Sequence, residues 1–222
     1  MDATPTVDAR RLDALTARAR RLAVPGARRL LGLAGPPGAG KSTLAARLVE
    51  GLDGLAVLVP MDGFHLAGAE LDRLGRAERK GAPDTFDAAG YRALLARLRA
   101  AEPGVTVYAP AFDRALEEPV AGSVPVPPDV PLVVTEGNYL LHDDPAWAPV
   151  RPLLDEVWYV EADDALRVGR LVDRHVRYGR DRAAAERWVR ESDEANARLV
   201  APGRARAHRG VRGGGRGRAG RS

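Results

Sequence analysis

The sequence predicts an α/β fold in which a mainly parallel sheet is covered by helices on both faces. Three observations carry that expectation. Short apolar runs alternate with helix-period segments along most of the chain. A glycine-rich stretch, Gly35 to Gly40, joins one apolar run directly to a helical pattern. The 222 residues are 45% hydrophobic, enough for the core of one domain of that length.

Residues 8–23 put Leu12, Leu15, Ala19 and Leu22 on one helical face with arginines elsewhere, which predicts a leading amphipathic helix packed on the domain. Arg29-Leu30-Leu31-Gly32-Leu33-Ala34 reads as the first strand, and Ser42 to Val49 as the helix that follows it. Further strands are expected over residues 55–60, 105–108, 131–135 and 157–161, each bounded by Gly, Pro or charge. Helices are expected over 65–74, 87–100, 145–154 and 163–200; the last is broken at Tyr178-Gly179-Arg180 and forms a helical lid. Residues 109–130, rich in Pro and Gly, show no clear period and read as a long functional loop carrying part of a substrate site.

The net charge of +4 is unevenly placed. Residues 204–222 hold seven arginines and no acid, so removing those seven charges leaves −3 for residues 1–203. The domain is therefore drawn over 1–203, and 204–222 reads as a disordered Gly/Arg-rich tail without a catalytic role. With no cysteine, the chain builds neither a disulfide framework nor a thiolate metal site. Asp2, Asp8 and Asp13 stand among the N-terminal arginines and no long apolar run is present, which argues against a signal peptide, a transit peptide or a membrane span. The expected address is the cytoplasm.

Gly35-Pro36-Pro37-Gly38-Ala39-Gly40-Lys41-Ser42 fits G-x-x-x-x-G-K-[ST] in its required strand-to-helix setting, the pattern of a P-loop. Glycines let the backbone curl so that its N–H groups point at phosphate oxygens, and the helix adds the positive end of its dipole. Lys41 should reach the β- and γ-phosphates, Ser42 should ligate the Mg²⁺ that accompanies the nucleotide, and Thr43 completes the nucleotide-contact set. Met61-Asp62-Gly63-Phe64 puts an acid just past the second strand, where ligands of open α/β sheets bind, so Asp62 is placed to take the proton of an attacking hydroxyl. Val133-Val134-Thr135-Glu136-Gly137 ends another strand in an acid, the layout of a Mg²⁺-holding carboxylate, although Asp is the usual residue there. Arg167, Arg170 and Arg174 are spaced to share one side of the lid helix and to neutralise charge on the transferring phosphoryl group.

At these residues the sequence resembles the small-molecule kinases that include uridine kinase, type I pantothenate kinase and phosphoribulokinase, over roughly residues 28–200. Asp62-Gly63-Phe64 is similar to the acid-small-Phe sequence ending the family's second strand, which implies that Asp62 is the catalytic base. Glu136-Gly137 matches the glutamate-glycine pair of a later strand. Asp164-Ala165-Leu166-Arg167-Val168-Gly169-Arg170 resembles the lid helix and implies phosphate contacts for Arg167 and Arg170. Arg79-Lys80-Gly81-Ala82-Pro83-Asp84-Thr85-Phe86-Asp87 resembles the pantothenate kinase form of a motif that uridine kinases write with an acid at the place of Gly81, which weakens the expectation of a nucleoside. Met61 to Leu66 together with Glu136-Gly137-Asn138-Tyr139 resembles bacterial nucleoside/nucleotide kinase family or fructose-transport-associated chains, which keeps a sugar hydroxyl in view. The resemblance implies acceptor contacts from Tyr108, Phe112, Asp113 and Arg114, with His65 beside them, and it implies ATP, Mg²⁺ and a small-molecule substrate, leaving a homodimer open. One departure stands out: after the lid helix, relatives continue into another core strand, whereas no strand is visible around Ala205-Arg206-Ala207-His208. Either the sheet is one strand short or the reading frame was lost near residue 207.

Two other classes remain to be weighed. A regulatory P-loop GTPase shares Gly35 to Ser42, but no Asn-Lys-x-Asp or Thr-Lys-x-Asp segment is present. A nucleic-acid binder would act through the arginine tail by non-specific phosphate contacts; no specific nucleic-acid partner is expected.

Overall fold

In this computed structural model the described residues are 6–8 and 11–212. In chain order their strands are β1 (Thr6–Asp8), β2 (Arg29–Ala34), β3 (Ala56–Pro60), β4 (Val107–Asp113), β5 (Glu118–Val126), β6 (Leu132–Gly137), β7 (Glu156–Glu161) and β8 (Arg209–Arg212). Six of them form one parallel sheet in the order β1-β8-β7-β2-β6-β3, while β4 and β5 form a separate antiparallel pair. The helices are α1 (Leu12–Leu22), α2 (Lys41–Gly51), α3 (Gly68–Arg73), α4 (Ala88–Ala100), α5 (Asp164–Arg177), α6 (Arg182–Trp188) and α7 (Glu194–Val200).

Every strand of the sheet's centre is apolar on both sides, because helices cover both faces. Leu30 faces a cluster with Tyr91, Leu95, Val133, Tyr139 and Trp147, whereas its neighbour Leu31 faces Leu15, Leu44, Leu48 and Trp158. The alternation continues along β7, where Val157 and Tyr159 join the first cluster and Trp158 and Val160 the second. Helix α1 is fixed to its face by a buried polar anchor. Glu156 accepts hydrogen bonds from Arg18 Nη2 at 2.8 Å and from Trp158 Nε1 at 2.7 Å. Burial pushes this carboxyl up, but those donors and the Arg18 charge outweigh it and hold it below the ordinary range.

The structure corrects the sequence reading in four places. The leading helix starts at Leu12, and residues 6–8 are a strand beside β8. Residues 109–130 are mostly a hairpin, since β4 and β5 pair from Val107↔Val126 to Asp113↔Glu118. The expected helix at 145–154 is instead a 3₁₀ turn over Ala148–Leu153, because Pro149 and Pro152 lack the N–H that α-helical pairing needs. The missing strand exists: β8 lies between β1 and β7, with Val211 fully buried. Residues 204–212 thus belong to the fold rather than to a tail, so the sheet is not one strand short and no lost frame near residue 207 is needed. The remainder of the expected tail, 213–222, lies outside the described residues.

Candidate active site

Because β2 is hydrogen-bonded to β6 on one side and β7 on the other, the loop that follows it opens at the middle of the sheet's carboxyl edge. Gly35 takes φ +144°, and a Cβ there would stand 2.1 Å from the Val160 carbonyl oxygen, so only glycine lets the loop leave against β7. Gly38 and Gly40 also have positive φ, +77° and +96°, and Gly40 is the residue from which α2 starts. The unpaired N–H groups of the first turn of α2 therefore face the space above β2 and β6. Pro37, Gly38, Gly40, Lys41, Ser42 and Thr43 line a cleft of about 600 Å³ there.

Lys41 is buried, with Nζ donating to the Pro36 carbonyl at 3.0 Å and to Asn138 Oδ1 at 2.7 Å. Burial pulls its ammonium down to about 8; Glu136 and Asp62 push the other way, and Arg174 and Arg167 add to the fall. Ser42 Oγ donates to Glu136 Oε1 at 2.9 Å. Burial and the negative charge of Asp62 push the Glu136 carboxyl up, opposed by Lys41, the Ser42 hydrogen bond and Arg114. The Ser42 hydroxyl and the Glu136 carboxylate are hard oxygen ligands at the phosphate end of the cleft. Among the described residues no group of three or more His, Cys, Asp or Glu side chains assembles into a cation site. This donor set fits Mg²⁺, which takes one or two carboxylates and completes its shell with phosphate oxygens and water.

Asp62 sits in a 3₁₀ turn, Met61–Phe64, directly after β3, and it lines the same cleft. Its Oδ2 accepts from Arg114 Nη2 at 3.2 Å. The β4–β5 hairpin lies over that turn: a Cβ on Gly63 would come within 2.4 Å of the Pro110 carbonyl oxygen. His65 lies tilted against Phe86 and Phe112, at centroid distances of 4.0 and 4.8 Å, with Nδ1 2.8 Å from the Asp62 carbonyl oxygen. The lid closes the other side of the cleft through Arg170, Arg174, Trp188, Asp193 and Asn196.

The sequence-nominated residues therefore divide. Lys41, Ser42, Thr43, Asp62, His65, Phe112, Arg114, Glu136, Arg170 and Arg174 share one cleft, together with Pro37, Gly38 and Gly40. Gly35, Pro36 and Ala39 shape the loop; Pro36 acts through its carbonyl and Ala39 is buried beneath. Arg167 is not in the cleft. Its guanidinium is buried behind the loop, 2.6 Å from Glu194 Oε1 and 3.1 Å from Asp164 Oδ1, with Nη1 3.4 Å from the Pro37 carbonyl oxygen. It ties loop to lid, so the expectation that it faces the transferring phosphoryl group is corrected. Tyr108 is 59% exposed and also lies outside the cleft. Asp113 turns away and accepts from the N–H groups of Ala115 and Leu116, which starts the hairpin turn. Sequence reasoning nominated neither Lys80 nor Asn138 as site residues. Asn138 adjoins the Glu136-Gly137 pair and could have been found from it; Asp193 sits in a π-helical turn, Val189–Asp193, that leaves no sequence signal.

A cradle for phosphates beside a strand-end acid, under a helical lid, defines the class of P-loop kinase folds. A profile of the Phosphoribulokinase / Uridine kinase family matches residues 30–214, and the chain belongs to that family. The Escherichia coli (strain K12) protein YggC is 35% identical over 182 residues, which cover 79% of this chain and 74% of its own length. The ATP-dependent kinase-like protein notR' of Aspergillus versicolor is 40% identical over 147 residues, 62% of this chain and 84% of that protein. Across the most similar curated relatives the match spans 66 to 84% of their own lengths. A solved structure of a "putative fructose transport system kinase" from Silicibacter sp. TM1040, 35% identical, superposes with a TM-score of 0.79 over 90% of this chain and 98% of that one. No helix among the described residues is long and apolar enough to cross a membrane.

Proposed function

We propose that the protein is an ATP-dependent kinase that transfers the γ-phosphoryl group to a hydroxyl of a small metabolite. The observation that carries this reading is the meeting of Asp62 with the Lys41–Ser42–Glu136 cradle in one cleft. Family membership and the ATP-dependent kinase-like relative support the choice of nucleotide. Pantothenate, sugars and nucleoside-like alcohols are the acceptor classes to be tested.

In this mechanism the P-loop amides and Lys41 hold the β- and γ-phosphates, Arg170 and Arg174 lie across them from the lid, and Ser42 and Glu136 would hold Mg²⁺. The ion, when bound, offsets phosphate charge. Asp62 accepts the acceptor's hydroxyl proton as the alcohol oxygen bonds to the γ-phosphorus; the bond from that phosphorus to the bridging oxygen breaks, and its electron pair leaves on ADP. No covalent enzyme intermediate is needed, because the cleft brings both substrates together for direct in-line attack. Arg167 contributes by fixing the lid helix to the loop rather than by touching phosphate.

An ADP-release screen across hydroxylated metabolites tests the reading. An active acceptor should be found, Asp62→Asn should slow its phosphorylation by roughly 10²- to 10⁴-fold, and Lys41→Ala should abolish measurable turnover. ADP release indifferent to every alcohol, or an Asp62→Asn variant at full rate on a confirmed acceptor, would refute it. No observation favours the GTPase reading, and the arginine-tail reading loses Arg204, Arg206, Arg209 and Arg212 to the folded domain.

A further inference from the structure

Two cations flank one aromatic ring at the Asp62 end of the cleft. Lys80 Nζ lies 5.3 Å from the Phe112 ring centroid and Arg114 Cζ lies 5.4 Å from it. Each is steadied there by a single hydrogen bond: Lys80 Nζ donates to the Glu117 carbonyl at 2.6 Å, and Arg114 Nη2 donates to Asp62 at 3.2 Å. An ammonium has three donors and a guanidinium five, so both keep N–H groups to spare, and both residues line the cleft. Against the same ring, His65 points Nδ1 at the Asp62 carbonyl oxygen. A carbonyl only accepts, so Nδ1 carries the proton, and burial keeps the ring neutral by lowering its affinity for a second one. Nε2 is then a bare acceptor with no hydrogen-bond partner among the described residues.

Charge adds a second constraint. Asp62 pairs with Arg114, whereas Lys80 Nζ meets the Glu117 backbone carbonyl, which carries no charge. One of the two positive charges is therefore not paired with a carboxylate among the described residues. The ion pair engages Asp62 through Oδ2, and the carboxylate keeps further lone pairs for a hydroxyl. Arg114 still has N–H groups to offer, and a guanidinium pairs most strongly with a carboxylate or a phosphate.

Building on the kinase reading above, we propose that the phosphoryl acceptor is a hydroxylated metabolite that also carries an anionic group, a carboxylate or a phosphate monoester, bound by Lys80 and Arg114 beside Phe112. His65 Nε2 accepts from a second hydroxyl of the same molecule. An anionic acceptor gives the spare donors of Lys80 and Arg114 a charged partner, while a neutral alcohol does not.

The test uses the full chain with ATP and Mg²⁺ on matched acceptor pairs: glycerate and glycerol, pantothenate and pantothenol, fructose 6-phosphate and fructose. The expected result is that the charged member of at least one pair is phosphorylated about tenfold or more better in kcat/KM, the carboxylate and phosphate pairs telling which anion is meant. For that acceptor, Lys80→Gln and Arg114→Gln should each raise KM about tenfold with the KM for ATP unchanged, and Arg114→Lys should recover part of the loss. A neutral alcohol as the best substrate overturns the inference and leaves the kinase standing. So does an unchanged acceptor KM in variants whose thermal midpoints match the parent. If no member of any pair stimulates ADP release while another, neutral alcohol of the wider screen does, this inference is overturned; if none in the whole screen does, the kinase reading fails first and this one with it.

Discussion

Lys41 has its proton affinity set by two competing surroundings, the buried cradle and the phosphates it is shaped to meet. Burial brings its ammonium down to about 8, although Glu136 and Asp62 lean the other way. A bound triphosphate places several negative charges beside Nζ and pushes it back up. Above about pH 8, then, nucleotide binding should take up protons. Titration calorimetry at about pH 8.5 in buffers of different ionisation enthalpy should register a net uptake of a fraction of a proton per ATP, and Lys41→Met should remove it. A zero uptake in the parent protein would contradict the assignment. Asn138 and the Pro36 carbonyl hold the ammonium in position meanwhile, and both must yield as phosphate oxygens arrive.

At the scale of elements, the β4–β5 hairpin and the 3₁₀ turn at Met61–Phe64 together build the side of the cleft proposed for the acceptor. The turn presents Asp62 and His65, and the hairpin presents Phe112 and Arg114. Gly63 lies close against the hairpin and faces backbone rather than a side chain that could swing aside. Gly63→Ala should therefore lift the hairpin off the turn. A displacement of about 1 Å at reacting groups costs on the order of 10²-fold in rate. The expected outcome is a fall in kcat/KM for the acceptor by at least about tenfold with nucleotide affinity kept, read by steady-state kinetics beside a fluorescent-nucleotide titration. Equal loss of both would place the damage in the fold instead. The lid is tied in differently, through Arg167 buried between the Pro37 carbonyl and Glu194, so lid position and loop shape are mechanically joined.

The whole sheet depends on its last strand. Trp158 to Glu161 of β7 pair with Arg209 to Arg212, His208 Nδ1 accepts from the Val157 N–H at 2.8 Å, and among the described residues β1 pairs only with β8. Removing residues 208–222 would strip a buried Val211, detach β1 and leave the edge of β7 unpaired. That truncation should lower the thermal midpoint by about 5 °C or more and promote aggregation through the open edge. A midpoint within about 1 °C of the parent, measured by calorimetry with a monodisperse sizing profile, would show β8 to be dispensable.

Sequence alone determined the features that depend on contiguous residues. The phosphate cradle was legible because its geometry is set by glycines within eight positions and by the helix that follows, and Asp62 and Glu136 were legible because strand ends mark the ligand edge of a parallel sheet. β8 was not, since Arg209-Gly210-Val211-Arg212 carries one apolar side chain and becomes a strand only by pairing on both sides. The hairpin was hidden by its Pro and Gly content, and the removal of Arg167, Tyr108 and Asp113 from the cleft followed from side-chain directions that local pattern does not specify. Only the tertiary structure brought Lys80, Phe112, Arg114 and His65 around Asp62, because their convergence requires a hairpin some fifty residues along the chain to dock on a turn, and that docking is governed by packing between distant segments.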